Sequence, residues 1–194
     1  MANRPDEPVL EFHVRHAGDA LASRYVFERL RLGEAVRLRG PFGDAYLRDR
    51  HGGPIIAVAG GSGLAPMKSI VATAPAKGLR QPIHLYFGAR DEPDVYLEDF
   101  FCSLASAHPN FRFVPVLSEP SPSSNRRRGL VTDALAADFR GLSGSKAYLA
   151  GPPPMVEAAI ATLRCLGVAA RDIHADPFYT EKEKARLPTP NIPA

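Results

Sequence analysis

The sequence is poor in cysteine, which limits the metal chemistry it can support. Cys102 and Cys165 are its two cysteines among 194 residues. Their separation fits no zinc or iron–sulfur ligand pattern and indicates a reducing compartment, so we expect two buried free thiols and no metal site.

Long apolar runs are also missing. No stretch approaches the roughly 20 residues that a membrane-spanning helix needs, and the N-terminus has no apolar core of a signal peptide. We therefore expect no membrane insertion and a cytoplasmic location.

Charge of one sign is scarce as well, with a formal net charge of +3. The basic run Arg126–Arg128 is too short for a nucleic-acid footprint and is interpreted as a solvated loop. No nucleic-acid partner is expected.

What the sequence does contain, from about Pro54 onward, is a regular alternation of buried-strand and helix patterns. The predicted strands are Ile55–Ala59, Ile83–Phe87, Phe111–Leu117, Ala147–Ala150 and Asp172–His174. The predicted helices are Pro66–Ala74, Leu97–Ala107, Val131–Phe139 and Pro154–Leu166. This order predicts an α/β fold, a five-stranded parallel sheet with helices on both faces.

The residues before Pro54 have a different pattern. Apolar and polar residues alternate over Leu10–Arg15, Val36–Arg39 and Ala45–Leu47, which predicts three half-buried antiparallel strands. A short helix over Ser23–Leu30, capped by Ser23, is predicted between the first two. So small a sheet needs a further packing partner to be stable.

The segment "IIAVAGGSGLAPMKSI" is the strongest local signal. Gly60, Gly61 and Gly63 allow a tight turn after a buried strand, and Pro66 suits the first turn of a helix. Such a helix N-terminus presents N–H groups to an anion, and a dinucleotide diphosphate is the obvious candidate. A strand–helix turn that binds nothing is the open alternative.

Two further segments each admit two interpretations. In "YLAGPPPMVEAAIATL" the turn Gly151–Pro154 either holds backbone groups against a flat ligand or is a stiff connection. In "IHADPFY" the pair Phe178 and Tyr179 either packs in the core or forms a platform for a ring system.

These pieces occur together in one order over roughly residues 2–179. They are "LEFHVR", "YVFERL", "GPFGDAYLR", "AVAGGSGLAPMKSI", "YFGAR", "VPVLSEP", "GLVTDAL", "YLAGPPPMVEA" and "IHADPFY". The set resembles the ferredoxin–NADP reductase-like flavoprotein family, in particular the reductase components of bacterial ring-hydroxylating dioxygenases and phenol- or methane-type monooxygenases.

The resemblance implies a partial FAD-binding antiparallel β-barrel over residues 1–52, an NAD(P)-binding domain over 53–179 and a mobile tail over 180–194. It implies an NADH-dependent flavoprotein oxidoreductase. NADH would reduce FAD, which would pass single electrons to a ferredoxin-like iron–sulfur protein or an oxygenase component.

The resemblance also assigns roles to residues. Phe178 (or Tyr179) would cover the flavin on the nicotinamide side, with Phe178 and Ser62 as catalytic residues. Glu119 at the adenine ribose would favour NADH over NADPH, although Arg126–Arg128 could reach a phosphate and weaken that preference. The implied cofactor-binding residues are Ser23, Gly60, Gly61, Ser62, Gly63, Leu64, Ala65, Arg90, Ser118, Glu119, Gly151, Pro152, Pro153, Met155, Phe178 and Tyr179.

The sequence departs from the family at several points. The family's Arg-x-Tyr-Ser flavin motif is absent, and the chain resembles a reductase that begins just after it. Ala150 stands where many relatives have cysteine, and Asp19 and Ala20 where relatives often have glycine. Either the start is misassigned or cut, and the native protein is a full reductase, or a short form exists with a defective flavin site. For the chain as given we expect weak or absent FAD binding.

Three functional hypotheses remain from the sequence: a reductase or its truncated form, a non-catalytic nucleotide-binding or electron-transfer docking module, and a subunit that receives its flavin domain in trans. A homodimer through the open barrel edge is a further expectation.

Overall fold

The computed structural model describes residues 1–16, 18, 20–180 and 183. Apart from Thr180 and Glu183, the segment predicted to be a mobile tail lies outside the described residues, as does Asp19.

Within these residues the chain forms a six-stranded parallel sheet in the order β4-β3-β2-β1-β5-β6. The strands are β1 (Ile55–Gly60), β2 (Ile83–Ala89), β3 (Phe111–Leu117), β4 (Arg127–Arg128), β5 (Lys146–Gly151) and β6 (Ile173–Pro177). The prediction of a parallel α/β sheet is confirmed, and its strand count is corrected from five to six.

The additional strand is β4, which lies in the run interpreted as a solvated loop. Its two residues pair with Val116 and Leu117 at the end of β3. The loop interpretation was therefore wrong for Arg127 and Arg128, because a two-residue edge strand of arginines carries no apolar signal.

Four helices cover the two faces of the sheet: α2 (Leu64–Ala76), α3 (Glu98–Ala107), α4 (Val131–Asp138) and α5 (Pro153–Cys165). A shorter helix, α1 (Leu21–Arg24), lies in the N-terminal segment. Ile55 and Ala57 of β1 face a core shared with α2 and α3, whereas Ile56 and Val58 face a core shared with α4 and α5. Because both faces are covered, β1 is buried at every position and reads as a continuous apolar run.

The N-terminal segment, residues 1–54, does not form the antiparallel strands that its sequence predicts. No β-strand is assigned to its described residues, so the predicted antiparallel partial barrel over Leu10–Arg15, Val36–Arg39 and Ala45–Leu47 is not observed. Alternation makes a chain competent to form a strand, but a ladder also needs the N–H and C=O groups of a neighbouring strand. Within the described residues, no neighbouring strand supplies them.

The predicted short helix is present, but its cap was assigned wrongly. It begins at Leu21, and a π-helical turn Tyr25–Arg29 follows it. Ser23 therefore lies inside the helix, where its hydroxyl donates to the Ala20 carbonyl at 3.0 Å.

The N-terminal segment is attached to the sheet at β6. The Asp176 carboxylate accepts hydrogen bonds from the backbone N–H groups of Asp44 (2.7 Å) and Ala45 (3.0 Å). Asp44 also contacts His174 Nδ1 at 2.7 Å. We call these contacts the Asp176 clamp, since they hold the turn after Gly43 against β6.

Two general expectations can be compared with the structure. Cys102 and Cys165 are free, but both are exposed rather than buried, because they lie on outer faces of α3 and at the end of α5. Among the described residues, no helix is both long and apolar enough to cross a membrane.

Candidate functional site

A cleft of about 770 Å³ opens at the carboxyl ends of the central strands. Gly60 of β1, Phe87 of β2 and Val116 of β3 line it, together with Pro152 just after β5. Chain order reverses here, because β1 has β2 on one side and β5 on the other. In doubly wound sheets this switch point is where ligands bind.

The glycine-rich turn forms the floor of the cleft. Gly61 has φ 55°, in the left-handed region that favours glycine. A Cβ on Gly63 would lie 2.1 Å from the Ala150 carbonyl oxygen. The turn therefore packs directly on the backbone of β5, an approach that only glycine permits.

Helix α2 begins at this turn. A 3₁₀ turn over Gly61–Gly63 leads directly into it, and the Leu64 N–H donates to the carbonyls of Gly61 and Ser62. The first N–H groups of a helix have no partner within it and carry partial positive charge, so this end of α2 suits an anion.

The structure brings many of the predicted binding residues together at the cleft. Those that line it are Gly60, Gly61, Ser62, Arg90, Ser118, Pro152 and Met155. Gly63 and Ala65 are buried behind this wall, and the side chains of Leu64 and Pro153 belong to the protein interior. The remaining predicted residues are not part of the lining: Ser23, Glu119, Gly151, Phe178 and Tyr179.

At the β2–β3 end of the cleft, Ser118 and Glu119 are held next to Arg90. The N–H of Ser118 donates to Ala89 O at 3.0 Å, and that of Glu119 donates to Arg90 O at 2.8 Å. The Arg90 guanidinium contacts the Asp94 carboxylate at 2.8 Å, and this hydrogen bond lowers the pKa of Asp94. Both charged groups are thus fixed at the rim.

The arginine run that could have reached a phosphate is engaged internally. Arg126 binds both carboxylate oxygens of Glu98 at 2.6 and 2.7 Å. Arg127 contacts Asp138 at 2.6 Å, and Arg128 donates to backbone carbonyls, including that of Ser124 at 2.9 Å.

The aromatic pair after β6 lies at the surface. The Phe178 side chain is 45% exposed, while its N–H donates to the Gly151 carbonyl at 2.9 Å. The Tyr179 hydroxyl contacts Glu157 at 2.9 Å. Phe178 therefore stands beside the β5–α5 turn without filling the core.

Sequence reasoning missed several groups of lining residues. His13, Val14 and Arg15 come from the N-terminal segment, and the start of α4 contributes Leu130–Thr132. Arg15 reaches over the glycine turn, with Nη1 3.6 Å from the position of a Cβ on Gly61. No local pattern marks these residues, because tertiary contacts bring them to the cleft.

Tyr96 and Asp94 form another missed part of the wall, on the irregular stretch between β2 and α3. Burial raises the pKa of Tyr96 to about 12. Among the described residues, no cluster of three His, Cys, Asp or Glu side chains is placed to hold a metal ion.

A parallel sheet of this order, with a glycine-rich turn under a cleft at its switch point, defines a doubly wound nucleotide-binding domain. The family model for the oxidoreductase NAD-binding domain matches residues 57–160. The chain belongs to this family, and its predicted resemblance to ferredoxin–NADP reductase-like proteins is confirmed.

Comparisons with individual proteins agree with this assignment. The chain is 45% identical over 179 residues to the ferredoxin–NAD(P)(+) reductase component of the naphthalene 1,2-dioxygenase/salicylate 5-hydroxylase systems of Ralstonia sp., covering 92% of this chain and 55% of the relative. It is 40% identical over 186 residues to DmpP, the phenol 2-monooxygenase reductase component of Pseudomonas sp. (strain CF600), covering 94% of this chain and 52% of the relative.

Among solved structures, the Amycolatopsis cytochrome P450 reductase GcoB superposes with a TM-score of 0.77 at 38% identity, over 85% of this chain and 50% of that one. The chain therefore spans about half the length of the relatives it matches.

Proposed function

We propose that this chain provides the NADH-binding part of a flavoprotein oxidoreductase that passes electrons from NADH through FAD to an iron–sulfur protein or oxygenase component. The observation that carries the proposal is the cleft at the switch point, with Gly63 packed on β5 and α2 beginning at its floor. The relatives named above are reductase components, and they support the same reaction class.

The residues present fit a nicotinamide dinucleotide. A cleft of about 770 Å³ lies within the range of roughly 300–1,000 Å³ typical of ligand sites. In this proposal the Ser62 N–H holds the diphosphate, Arg90 and Ser118 border the adenosine, and Pro152 and Met155 border the nicotinamide. The dinucleotide would supply a hydride.

A preference for NADH over NADPH is part of the proposal. Glu119 is anchored beside Arg90 by its backbone, where its carboxylate would accept from ribose hydroxyls and repel a 2′-phosphate. The internal pairing of Arg126 and Arg127 supports the preference, since it removes two cations that could attract that phosphate.

The described residues fit a flavin poorly. Neither Ser23 nor Phe178 lines the cleft, the Ser23 hydroxyl is directed to the Ala20 carbonyl, and Phe178 stands at the surface. We therefore propose weak or absent FAD binding by this chain alone and assign no flavin step to its residues. The roles of Phe178 as flavin cover and Ser62 as catalytic residue stay predictions.

The remaining parts of the proposal concern partners and location. A ferredoxin-like protein or oxygenase component is proposed as acceptor because the relatives serve dioxygenase and monooxygenase systems. Exposed apolar residues of the N-terminal segment, including Leu10, Phe12 and Val36, support self-association. Two free cysteines support a cytoplasmic location.

A calorimetric titration with NADH tests nucleotide binding. Gly61→Ala places a methyl group in the cleft and should weaken NADH binding at least tenfold. Gly78→Ala is the matched control, because Gly78 also has a positive φ (77°) and open space around it, but does not line the cleft. Equal NADH affinities of the two variants would contradict the proposal that NADH binds at the glycine turn.

Activity then separates the hypotheses. NADH-dependent ferricyanide reduction that depends on added FAD would favour a reductase with a weak flavin site. NADH binding without such activity would favour the non-catalytic module or a flavin domain supplied in trans. Glu119→Gln should raise the NADPH-to-NADH affinity ratio several-fold, and an unchanged ratio would remove Glu119 from specificity.

A further inference from the structure

Four side chains connect helix α2 to the glycine turn through the N-terminal segment. Lys68 of α2 is paired with Glu11. The other carboxylate oxygen of Glu11 lies 2.9 Å from His13 Nε2, and His13 Nδ1 lies 2.9 Å from the Tyr96 hydroxyl. That hydroxyl donates to the Gly61 carbonyl at 3.2 Å. We call this set the Lys68–Tyr96 chain.

The Lys68–Tyr96 chain of hydrogen bonds is largely shielded from water. The side chains of Lys68 and His13 are each 12% exposed, although that of Glu11 is 39% exposed. The hydrogen bonds from Lys68 and His13 lower the pKa of Glu11, whereas burial raises that of Tyr96. Near neutral pH, Glu11 is therefore a carboxylate and Tyr96 a neutral phenol that can donate.

Tyr96 also has a fixed ring position. Its ring packs edge-on against Phe87 of β2, with centroids 5.8 Å apart, and against His13 at 5.3 Å. The side chain lines the cleft, and the Gly61 carbonyl that accepts its hydroxyl also accepts the Leu64 N–H.

Because a peptide unit is planar, the hydrogen bond from Tyr96 to the Gly61 carbonyl also affects the neighbouring Ser62 N–H. The Gly61 carbonyl and the Ser62 N–H belong to one rigid plane and point in opposite directions. A glycine with a positive φ has no Cβ to restrict its rotation. A bond that fixes the carbonyl therefore also fixes the direction of the Ser62 N–H.

We propose that Tyr96 is a positioning residue, which orients the Gly61–Ser62 peptide for a dinucleotide diphosphate, and that Glu11 and His13 of the N-terminal segment hold Tyr96 in place. This rests on the proposed function of the cleft. It assigns the N-terminal segment a role in nucleotide affinity through contacts that do not involve a flavin.

Tyr96→Phe tests the proposal, because it removes the hydroxyl and keeps the ring. The affinities for NADH and ADP-ribose, which both carry a diphosphate, should fall about 5-fold, the effect of one lost hydrogen bond. AMP, which lacks a diphosphate, should lose less than about twofold. A merely structural role for Tyr96 would lower all three affinities alike, and that result would overturn the proposal.

Tyr86→Phe is the matched control. Its hydroxyl also makes a partly buried hydrogen bond, to Asp138 at 2.7 Å, but Tyr86 does not line the cleft. This variant should lose stability without any selective loss of NADH or ADP-ribose. A loss as selective as that of Tyr96→Phe would overturn the proposal.

The direction of the Ser62 N–H bond in the free protein separates this inference from the proposed function, because measuring it needs no nucleotide. The ¹⁵N–¹H residual dipolar coupling of Ser62 should change in Tyr96→Phe and in His13→Leu, and stay close to the native value in His13→Gln, which keeps a polar group. Failure of the native protein to bind NADH would refute the proposed function. An unchanged Ser62 coupling in both Tyr96→Phe and His13→Leu would refute the positioning role.

Discussion

The sheet region and the N-terminal segment contain similar apolar side chains, but these are buried in the sheet region and exposed in the N-terminal segment. Phe87 and Phe101 of the sheet region are fully buried, whereas Phe12 and Phe42 of the N-terminal segment are 48% and 77% exposed. Sheet residues are covered on both faces by helices, but the N-terminal segment has no strand ladder within its described residues. Apolar patterning therefore predicts burial only where a second layer is available to cover it.

The largest test of this difference uses glycine. Gly63→Ala would place a Cβ 2.1 Å from the Ala150 carbonyl, against backbone that cannot move cheaply. We expect a loss of about 4 kcal/mol or more in the free energy of unfolding. Gly52→Ala, in the N-terminal segment with open space around it, should change stability by less than about 0.5 kcal/mol. Urea unfolding followed by circular dichroism measures both, and equal effects would contradict the comparison.

A pair of phenylalanine truncations gives the next largest effect. Phe101→Ala removes a side chain with 0% exposure and should cost about 3 kcal/mol. Phe12→Ala removes one that is 48% exposed and should cost less than about 1 kcal/mol. If Phe12→Ala costs as much as Phe101→Ala in thermal or urea unfolding, the N-terminal segment is packed more tightly than the structure shows.

The contact between the regions can be loosened directly. Asp176→Ala removes the acceptor of the Asp176 clamp, and each lost charge-assisted hydrogen bond is worth about 1.5 kcal/mol. Exchange of the Asp44 and Ala45 amides should accelerate about tenfold, while amides of β1 stay protected. Asp172→Ala, which breaks the contact with Lys146 near the same strand, is the control. Slow exchange at Asp44 and Ala45 after removal of Asp176 would show that other contacts hold the turn.

The smallest expected effect is that of acid. Hydrogen bonds from Lys68 and from His174 lower the pKa values of Glu11 and Asp44, respectively, from those of free carboxyl groups. Carboxylates with lowered pKa values stabilise the fold above their unfolded-state values, and this contribution is lost as pH falls through the folded-state pKa. As the pH falls below the usual carboxyl range, the amide protection factors of the N-terminal segment, corrected for the intrinsic exchange rate at each pH, should therefore decrease before those of β1. Simultaneous loss of both regions would contradict this order.

Much of the sheet region could be predicted from the sequence because its strands are buried on both faces. Runs such as Ile55–Ala59 leave few alternatives, and the glycines after them mark the turn. The edge strand β4 was missed because its two residues are arginines. The N-terminal strands were predicted wrongly, since an alternating pattern of apolar and polar residues does not show whether a neighbouring strand is present to pair with.

For the candidate site, the sequence predicted the residues that follow the strand ends, but not the side chains that other segments contribute to the cleft walls. Ser62, Arg90 and Ser118 line the cleft as expected, because they follow strand ends that meet at one edge. Tyr96 and His13 lie 83 positions apart, and only the folded chain brings them together. Leu64 was expected at the ligand, but its side chain completes the core below the turn.

The central claim is that a dinucleotide binds through the glycine turn at the switch point. Titration of ¹⁵N-labelled protein with NADH, followed by amide NMR, tests it most directly. We predict saturable shifts at Ser62, Gly63, Arg90 and Ser118, with none at Asp44 or Ala45. No shifts at millimolar NADH, or shifts confined to the smaller cavity of about 220 Å³ beside Asn3 and His108, would contradict the account.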